Sequence, residues 1–235
     1  VRYADSEGWA AAKRREIDGY REEWSAADEE SVRTWLAGAA EERRRLGEVF
    51  FFPSGRLMSL MGIIGEVGLE HFSYCLADFP GIVDELLEVG ARRSIRWIEH
   101  LPAGHGVEAV FSGDDIAYKG GPMLSPRWFE EHYFHRLARV VAAWHAKGVK
   151  VLFHSDGDLN PILRGLVEAG VDGLNPIEVL ANMDAGAIHR SYPRLFMSGG
   201  IDVSQLLPLG SPEAVRDAVR RALDETECML MIGSS

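Results

Sequence analysis

The sequence predicts an α/β fold in which short parallel strands alternate with amphipathic helices. The segment 148–178 shows this pattern most clearly, because its residues follow the order strand, turn, helix, strand. The apolar run at 149–153 is typical of a strand buried on both faces, and Asn160-Pro161 is typical of a helix start. Polar or glycine-rich residues follow each predicted strand, where parallel α/β folds keep their functional groups.

Six strands are predicted in all, with helices between them. They lie at 49–52, 107–112, 149–153, 171–175, 195–198 and 228–232. Ser125 and Ser211 each precede a proline and an amphipathic stretch, which predicts two further helix starts. The alternation is typical of a doubly wound sheet or of an eight-stranded barrel. The polar strand ends favour the barrel, because its loops meet at one axial site.

We therefore predict one barrel domain over residues 1–235, with charged helices over 1–48 and barrel strands and helices over 49–235. Six strands leave two of the eight unaccounted for, and we place that pair before the first strand. The chain opens on Val1 rather than on methionine, and its last residues have the pattern of a strand that ends in a turn. We expect a fragment cut at both ends.

Composition limits the classes of function. The chain is 46% hydrophobic and 26% charged, which is ordinary for a globular protein. Its net charge of −11 argues against binding to nucleic acid. No apolar run is long enough for a membrane span, and no signal-peptide pattern opens the chain. Cys75 and Cys228 form no CxxC motif and no disulfide framework, so we predict a cytoplasmic protein. The charge and the lack of a membrane span predict that it has no nucleic-acid or membrane partner.

Five segments that contain or follow predicted strands stand in a recognisable order. They are GDDIAYKGGPMLSP (113–126), HSDGD (154–158), GVDGLNPIE (170–178), GGID (199–202) and GSS (233–235). Together they resemble the uroporphyrinogen decarboxylase superfamily, which also contains methyltransferases that move methyl groups to or from corrinoids and thiols. The resemblance implies a (β/α)8 TIM barrel that lacks its first strands here. It also implies a small-molecule substrate and a homodimer.

The methyltransferases of that superfamily bind zinc through His-x-Cys after one strand and a cysteine after the last strand, and some add a glutamate. Here His154 and Asp156 give His-x-Asp, and Glu178 stands at the matching strand end. Ser234 or Ser235 lies in the region of the last thiolate. We predict that His154, Asp156 and Glu178 bind a metal. A hydrogen-bonded polar cluster without metal, which would orient the substrate, is an equal alternative.

One imidazole and two carboxylates form a ligand set for Zn²⁺, Fe²⁺ or Mn²⁺. Oxygen ligands make a harder Lewis acid than thiolates, which weakens the case for thiol methylation and permits activation of water or a hydroxyl. The preferred function is metal-assisted methyl transfer on a small molecule or a corrinoid-linked methyl group. A corrinoid protein is the partner that this reaction implies.

Two other functions stay open. The first is cofactor-free decarboxylation of a tetrapyrrole in porphyrin biosynthesis, the reaction that names the superfamily. The tyrosine that those enzymes place in the segment matching 55–66 is absent here, and 233–235 contains no histidine. The second is a barrel that binds a ligand without catalysis, which the missing thiolates and tyrosine both permit.

Three further carboxylates are predicted as substrate or catalytic groups. Asp114 and Asp115 follow a predicted strand, and because adjacent strand residues point in opposite directions, at most one faces the site. Asp202 follows Gly199 and Gly200, a pair of glycines that lets the backbone approach a ligand.

Overall fold

The computed structural model describes residues 3–234, which form two compact units. The first comprises the residues up to Val110 together with His135–Lys150, and the second comprises Phe111–Phe134 and the residues from Val151 onward. The prediction of a single domain over residues 1–235 stays a prediction.

The secondary structure that precedes the sheet in the first unit is helical. The helices are α1 (Ser6–Gly19), α2 (Ala26–Leu46), α3 (Leu60–Val67), α4 (Leu69–Asp78) and α5 (Pro80–Glu99). The Asp5 side chain caps α1 by accepting a hydrogen bond from the Gly8 amide, and Ser25 and Asp28 form a reciprocal capping box at α2. The charged helices predicted before residue 48 are therefore present.

Three tryptophans form an aromatic cluster in the core of the first unit. Trp97 and Trp144 are buried, with ring centroids 6.2 Å apart, and Trp35 lies 5.1 Å and 6.1 Å from them. The Trp144 indole N–H donates to the carbonyl of Arg56 at 3.0 Å, which anchors the segment before α3. Edge-to-face packing of such large rings adds to their burial energy.

The strands of the structure are β1 (Ala109–Gly113), β2 (Ala117–Tyr118), β3 (Gly121–Pro122), β4 (Lys150–His154), β5 (Gly173–Ile177), β6 (Phe196–Ile201) and β7 (Leu230–Ser234). A five-stranded sheet has the order β1-β4-β5-β6-β7, and β2 and β3 form a separate antiparallel hairpin. The pairings β4–β5, β5–β6 and β6–β7 are parallel. Strands β4 to β7 lie side by side in the sheet in the same order as in the chain. The predicted α/β fold with parallel strands is confirmed.

Helices separate the strands of the sheet. They are α6 (Pro126–Trp128), α7 (Phe134–Ala146), α8 (Leu163–Glu168), α9 (Ala185–Ser191), α10 (Leu206–Leu209) and α11 (Pro212–Glu225). Ser125 and Ser211 cap α6 and α11 as predicted. A π-helical turn, Phe129–Tyr133, joins α6 to α7. Asn160 does not cap α8: it begins a 3₁₀ turn, Asn160–Ile162, and its amide donates to Asp158.

The strand predicted at 49–52 is wrong. These residues lie in the segment between α2 and α3, and the sheet begins only at β1. Val49 and Phe50 are more than half exposed. Gly47 turns the chain just before them with φ of 74°. A short apolar run forms a buried strand only if a neighbouring strand pairs with it, and the local sequence does not show whether such a partner exists.

Three strands of the sheet begin and end later than predicted. β5 ends at Ile177 rather than at 175, and β6 and β7 end at Ile201 and Ser234. Each of these strands extends beyond its apolar residues, because the glycine and polar residues that follow still pair in the sheet. Within residues 3–234, no helix is long and apolar enough to cross a membrane.

An ion-pair network joins α5 to α7 in the first unit. Glu88 accepts hydrogen bonds from Arg92, Arg136 and Arg139, and Arg136 also binds Asp84 through two parallel bonds of 2.9 Å and 2.8 Å. These contacts lower the pKa of Glu88 to about 2, and the hydrogen bond from Arg139 has the largest effect. Partial burial alone would raise this pKa, whereas the hydrogen bonds from Arg92 and Arg136 lower it further.

We expect Glu88→Gln to lower the free energy of unfolding at pH 7 by about 1–2 kcal/mol, because charge-assisted hydrogen bonds are lost. Glu88 has a folded pKa below its ordinary value of 4.5, so its stabilisation is present above about pH 4.5 and is lost as the pH falls towards 2. Urea unfolding at pH 7 and at pH 3 measures the difference.

The exposed pair Glu213–Arg216 supplies the control. Glu213→Gln should change the free energy of unfolding by less than about 0.5 kcal/mol at either pH. An equal loss in both variants, or a Glu88→Gln deficit that does not shrink on acidification, would contradict the role given to the network.

Candidate functional site

His154 ends β4, and a chain of side-chain hydrogen bonds across three strands fixes its ring. Its Nδ1 lies 2.8 Å from Oδ1 of Asn175, the residue opposite it on β5. Asn175 in turn donates from Nδ2 to the Ser198 hydroxyl on β6 at 2.9 Å. Because a carbonyl oxygen only accepts, the Nδ1–H of His154 donates this hydrogen bond, and Nε2 is the ring nitrogen left for another group.

Two carboxylates stand close to the His154 imidazole. Asp115 Oδ1 lies 3.5 Å from His154 Nε2 and accepts a hydrogen bond from the Asp156 amide at 3.2 Å. Donor atoms of Asp115, His154 and Asp156 all lie within 4.8 Å of one another. His154 and Asp115 are half-buried and Asp156 is exposed, so solvent reaches the group.

Ser155 is the buried residue that holds this group together. Its amide donates to the Asn175 carbonyl at 3.0 Å, and its hydroxyl accepts from the Ile116 amide at 3.0 Å. The loop after β1, which contains Asp115, is thereby tied to the loop after β4, which contains Asp156. Two loops far apart in sequence present their carboxylates to the same imidazole.

The donor set fits a divalent metal ion. One imidazole nitrogen with two carboxylates suits Zn²⁺, Fe²⁺ or Mn²⁺. Asn175 fits the same purpose, because metal-binding histidines usually donate their second N–H to an oxygen, which sets the tautomer and orients the ring.

Glu178, the third ligand predicted from the sequence, lies outside this group of described residues. Its Oε2 accepts a hydrogen bond from the Gly157 amide at 2.9 Å, and its Oε1 lies 3.8 Å from Lys119 Nζ. Gly157 has φ of 94°, and a Cβ there would lie 2.4 Å from the Tyr118 amide nitrogen. The Glu178 side chain therefore binds the backbone of the loop after β4, at a position that only glycine fits.

Asp114 and Asp115 face different surroundings. Asp114 is buried and accepts a hydrogen bond of 2.7 Å from the Tyr133 hydroxyl. Burial, and then the negative charge of Asp114, raise the pKa of Tyr133 well above its usual value, so the phenol stays a donor. Asp115 is the member of the pair that lies beside His154.

Asp202 makes local hydrogen bonds. It accepts from the amides of Ser204, Gln205 and Leu206 at 2.7 Å, 3.1 Å and 3.0 Å, which caps the turn into α10. Burial would raise the pKa of Asp202, but the hydrogen bonds from these amides and the charge of Lys119 lower it below its ordinary value. The carboxylate is therefore ionised and largely occupied by backbone donors.

The first of the two glycines before Asp202 lets β6 approach its neighbouring strand. Gly199 has φ of 113°, and a Cβ there would lie 2.7 Å from the Ile177 amide nitrogen. The close backbone approach that the sequence suggested at this position is therefore between β6 and β5. Ser234 pairs with Ile201 in β7, and Ser235 lies outside the described residues.

A cavity of 630 Å³ opens beside the ends of β5 and β6 and reaches α9 and α11. Its lining includes Ile177, Val179, Asp202 and Arg221. Ile177 and Val179 flank Glu178, so the cavity begins next to the residue that holds the loop after β4. Its volume lies within the range of about 300–1,000 Å³ that small-molecule sites occupy.

The residues that orient the group were not predicted. The sequence assigns no role to Asn175 or Ser198, and only the pairing of His154 with Asn175 shows that the amide faces the imidazole. Asn175 stood in the motif at 170–178 as a polar residue inside an apolar strand, which is the available signal. Tyr133 had no such signal, because its position depends on the π-helical turn.

The family model described as uroporphyrinogen decarboxylase (URO-D) matches residues 56–230. A methyltransferase from Methanosarcina mazei has a similar structure, with a TM-score of 0.65 at 17% sequence identity. The match covers 85% of this chain and 57% of the methyltransferase chain. This chain therefore spans little more than half the length of that methyltransferase. At this identity the likeness shows the fold, and it confirms the barrel-type α/β fold. No curated protein shows a significant sequence match.

Proposed function

Because the chain belongs to the uroporphyrinogen decarboxylase family, we propose that it is an enzyme of metal-assisted methyl transfer whose ligands are Asp115, His154 and Asp156. The observation that supports this best is the convergence of their donor atoms within 4.8 Å. Asn175 reinforces it, because its hydrogen bond to Nδ1 orients the ring so that Nε2 lies 3.5 Å from Asp115. The proposal keeps His154 and Asp156 from the sequence prediction and replaces Glu178 by Asp115.

The charge of the site favours a cation over a polyanionic substrate. Asp115, Asp156 and Glu178 are three carboxylates within the loops after β1, β4 and β5. The Lys119 ammonium, 3.8 Å from Glu178, offsets part of their negative charge. A tetrapyrrole with several carboxylate side chains would be repelled here, since like charges at close range cost energy in a partly desolvated site. A divalent ion would be attracted.

The residues of the chain would divide the work as follows. His154, Asp115 and Asp156 would hold the ion, Asn175 would orient the imidazole, and Glu178 would hold the loop that presents Asp156. When bound, such an ion acts as a Lewis acid that lowers the pKa of a coordinated hydroxyl, thiol or water. The cavity beside Glu178 would take the small-molecule substrate.

The name of the family model supports a second candidate, the decarboxylation of a tetrapyrrole. That reaction needs no metal and would use the same loops to bind the substrate's pyrrole or carboxylate groups. The two candidates differ in whether His154 and Asp115 act as ligands, so metal binding is the property to measure first.

We expect the protein to bind one Zn²⁺ or Mn²⁺ after dialysis against either ion, measured by mass spectrometry of metal content. Asp115→Asn should weaken the affinity at least about tenfold, because one of three ligands loses its charge. Glu178→Gln is the matched control, since glutamine still accepts the Gly157 hydrogen bond, and it should retain the metal.

The opposite pattern, with metal lost in Glu178→Gln and kept in Asp115→Asn, would show that the ligand set inferred from the structure is wrong. Equal metal content in the wild type and in His154→Ala would exclude binding at this site altogether.

We expect the metal-loaded protein to demethylate methylcobalamin when a thiol or alcohol acceptor is present, followed by the change in cobalamin absorbance. Asp115→Asn should reduce the rate at least about tenfold at equal protein concentration. Decarboxylation of uroporphyrinogen by the chelator-treated protein, without any demethylation of methylcobalamin, would instead establish the second candidate.

A further inference from the structure

A second polar pocket lies in the first unit and has a composition opposite to that of the protein as a whole. It is a cavity of 190 Å³ whose lining includes Arg21, Arg56, Arg93 and Arg96, with Asp28 as the one carboxylate among its lining residues. The chain carries a net charge of −11, so four guanidinium groups around one cavity are not explained by average composition.

Arg96 is held in place without its hydrogen-bonding capacity being used up. Its Nη1 donates to the carbonyls of Arg21 and Glu23 at 2.8 Å and 3.1 Å, and its Nη2 lies 3.7 Å from Asp28 Oδ2. Its Nε is buried and has no hydrogen-bond partner among the described residues. A buried donor that is left unpaired costs free energy, which a bound acceptor would recover.

Arg56 and Arg93 are positioned by aromatic rings. The Arg56 guanidinium lies 4.7 Å from the ring centroid of Trp97, and Arg93 lies 5.1 Å from that of Tyr20. Stacking holds each planar group. Arg56 Nη2 donates to the Ser31 hydroxyl at 2.8 Å, and Arg93 Nη1 lies 3.7 Å from Glu16, so each guanidinium has one engaged nitrogen and keeps further N–H groups for a ligand. Burial lowers the pKa of Arg56, and the charge of Asp28 opposes that effect only in part.

Asp28 cannot neutralise four cations. Its Oδ2 already accepts hydrogen bonds from the amide and hydroxyl of Ser25, as part of the capping box of α2. Those two bonds, followed by the charges of Arg96 and Arg56, hold the pKa of Asp28 below its ordinary value, with burial opposing them. The carboxylate is thus ionised and shared. Glu16, which lies 3.7 Å from Arg93, does not line the pocket, so four cations and one carboxylate face the cavity.

The size of the cavity limits the ligand. A volume of 190 Å³ is several times the roughly 30 Å³ that one water molecule occupies, yet it is below the range of about 300–1,000 Å³ that is usual for drug-sized ligands. A phosphate group or a short dicarboxylate fits these limits. Guanidinium forks match the oxygens of both groups through paired hydrogen bonds.

We propose that this pocket binds a small oxyanion with two negative charges, of the phosphoryl or dicarboxylate type. The site is independent of the proposed metal centre, because the residues that line it belong to the first unit and the three candidate ligands belong to the second.

Isothermal titration of the full chain with inorganic phosphate and, separately, with malonate tests the proposal, with chloride at equal ionic strength as the reference. We expect saturable binding of at least one of the two anions. Arg56→Gln and Arg93→Gln should each weaken it about tenfold, because each removes a charge-assisted hydrogen bond. Arg96 is left intact, since it also holds the backbone of residues 21 and 23.

Arg92→Gln is the matched control. Arg92 lies on the same helix as Arg93, but it pairs with Glu88 and Glu22 and does not line the pocket. It should bind the anion within about twofold of the wild type. The proposal is overturned if neither anion gives saturable binding, or if Arg92→Gln weakens binding as much as Arg56→Gln does.

Discussion

The hydrogen-bond chain from Ser198 through Asn175 to His154 is the constraint on which the candidate site depends. It crosses three adjacent parallel strands, so the geometry of the imidazole is coupled to the register of the sheet. If β5 moved by one residue, Asn175 would point to the other face and His154 would lose its partner. The register therefore determines the tautomer, and the tautomer determines whether Nε2 offers a lone pair to a ligand.

Close backbone packing keeps that register and shapes the loops beyond it. Gly199 lets β6 approach β5, and Gly157 lets the loop after β4 approach the hairpin that contains Tyr118. Glu178 fixes the second approach by accepting the Gly157 amide hydrogen bond. Two carboxylates predicted at the site, Glu178 and Asp202, accept hydrogen bonds from backbone amides. Asp115 and Asp156 remain beside the imidazole.

Much of this could be predicted from the sequence, for physical reasons. The alternation of apolar runs and capped helices predicted the α/β fold, and the abrupt polar residues after 149–153 identified His154 and Asp156 as candidates. The sequence does not show that β5 continues to Ile177, and it therefore predicts Glu178 at the strand end that matches His154. In the structure, Asn175 is the residue opposite His154. It also could not exclude the apolar run at 49–52 as a strand, because pairing depends on a neighbour.

Nitrogen-15 NMR of the metal-free protein at pH 8, with His154 assigned by comparison with His154→Gln, measures the tautomer directly. We predict that Nδ1 has the chemical shift of a protonated, pyrrole-type nitrogen and Nε2 that of a bare, pyridine-type nitrogen. The reverse result, a proton on Nε2 and none on Nδ1, would mean that the Asn175 amide is turned the other way. It would contradict the account of a ring prepared to bind a metal together with Asp115 and Asp156.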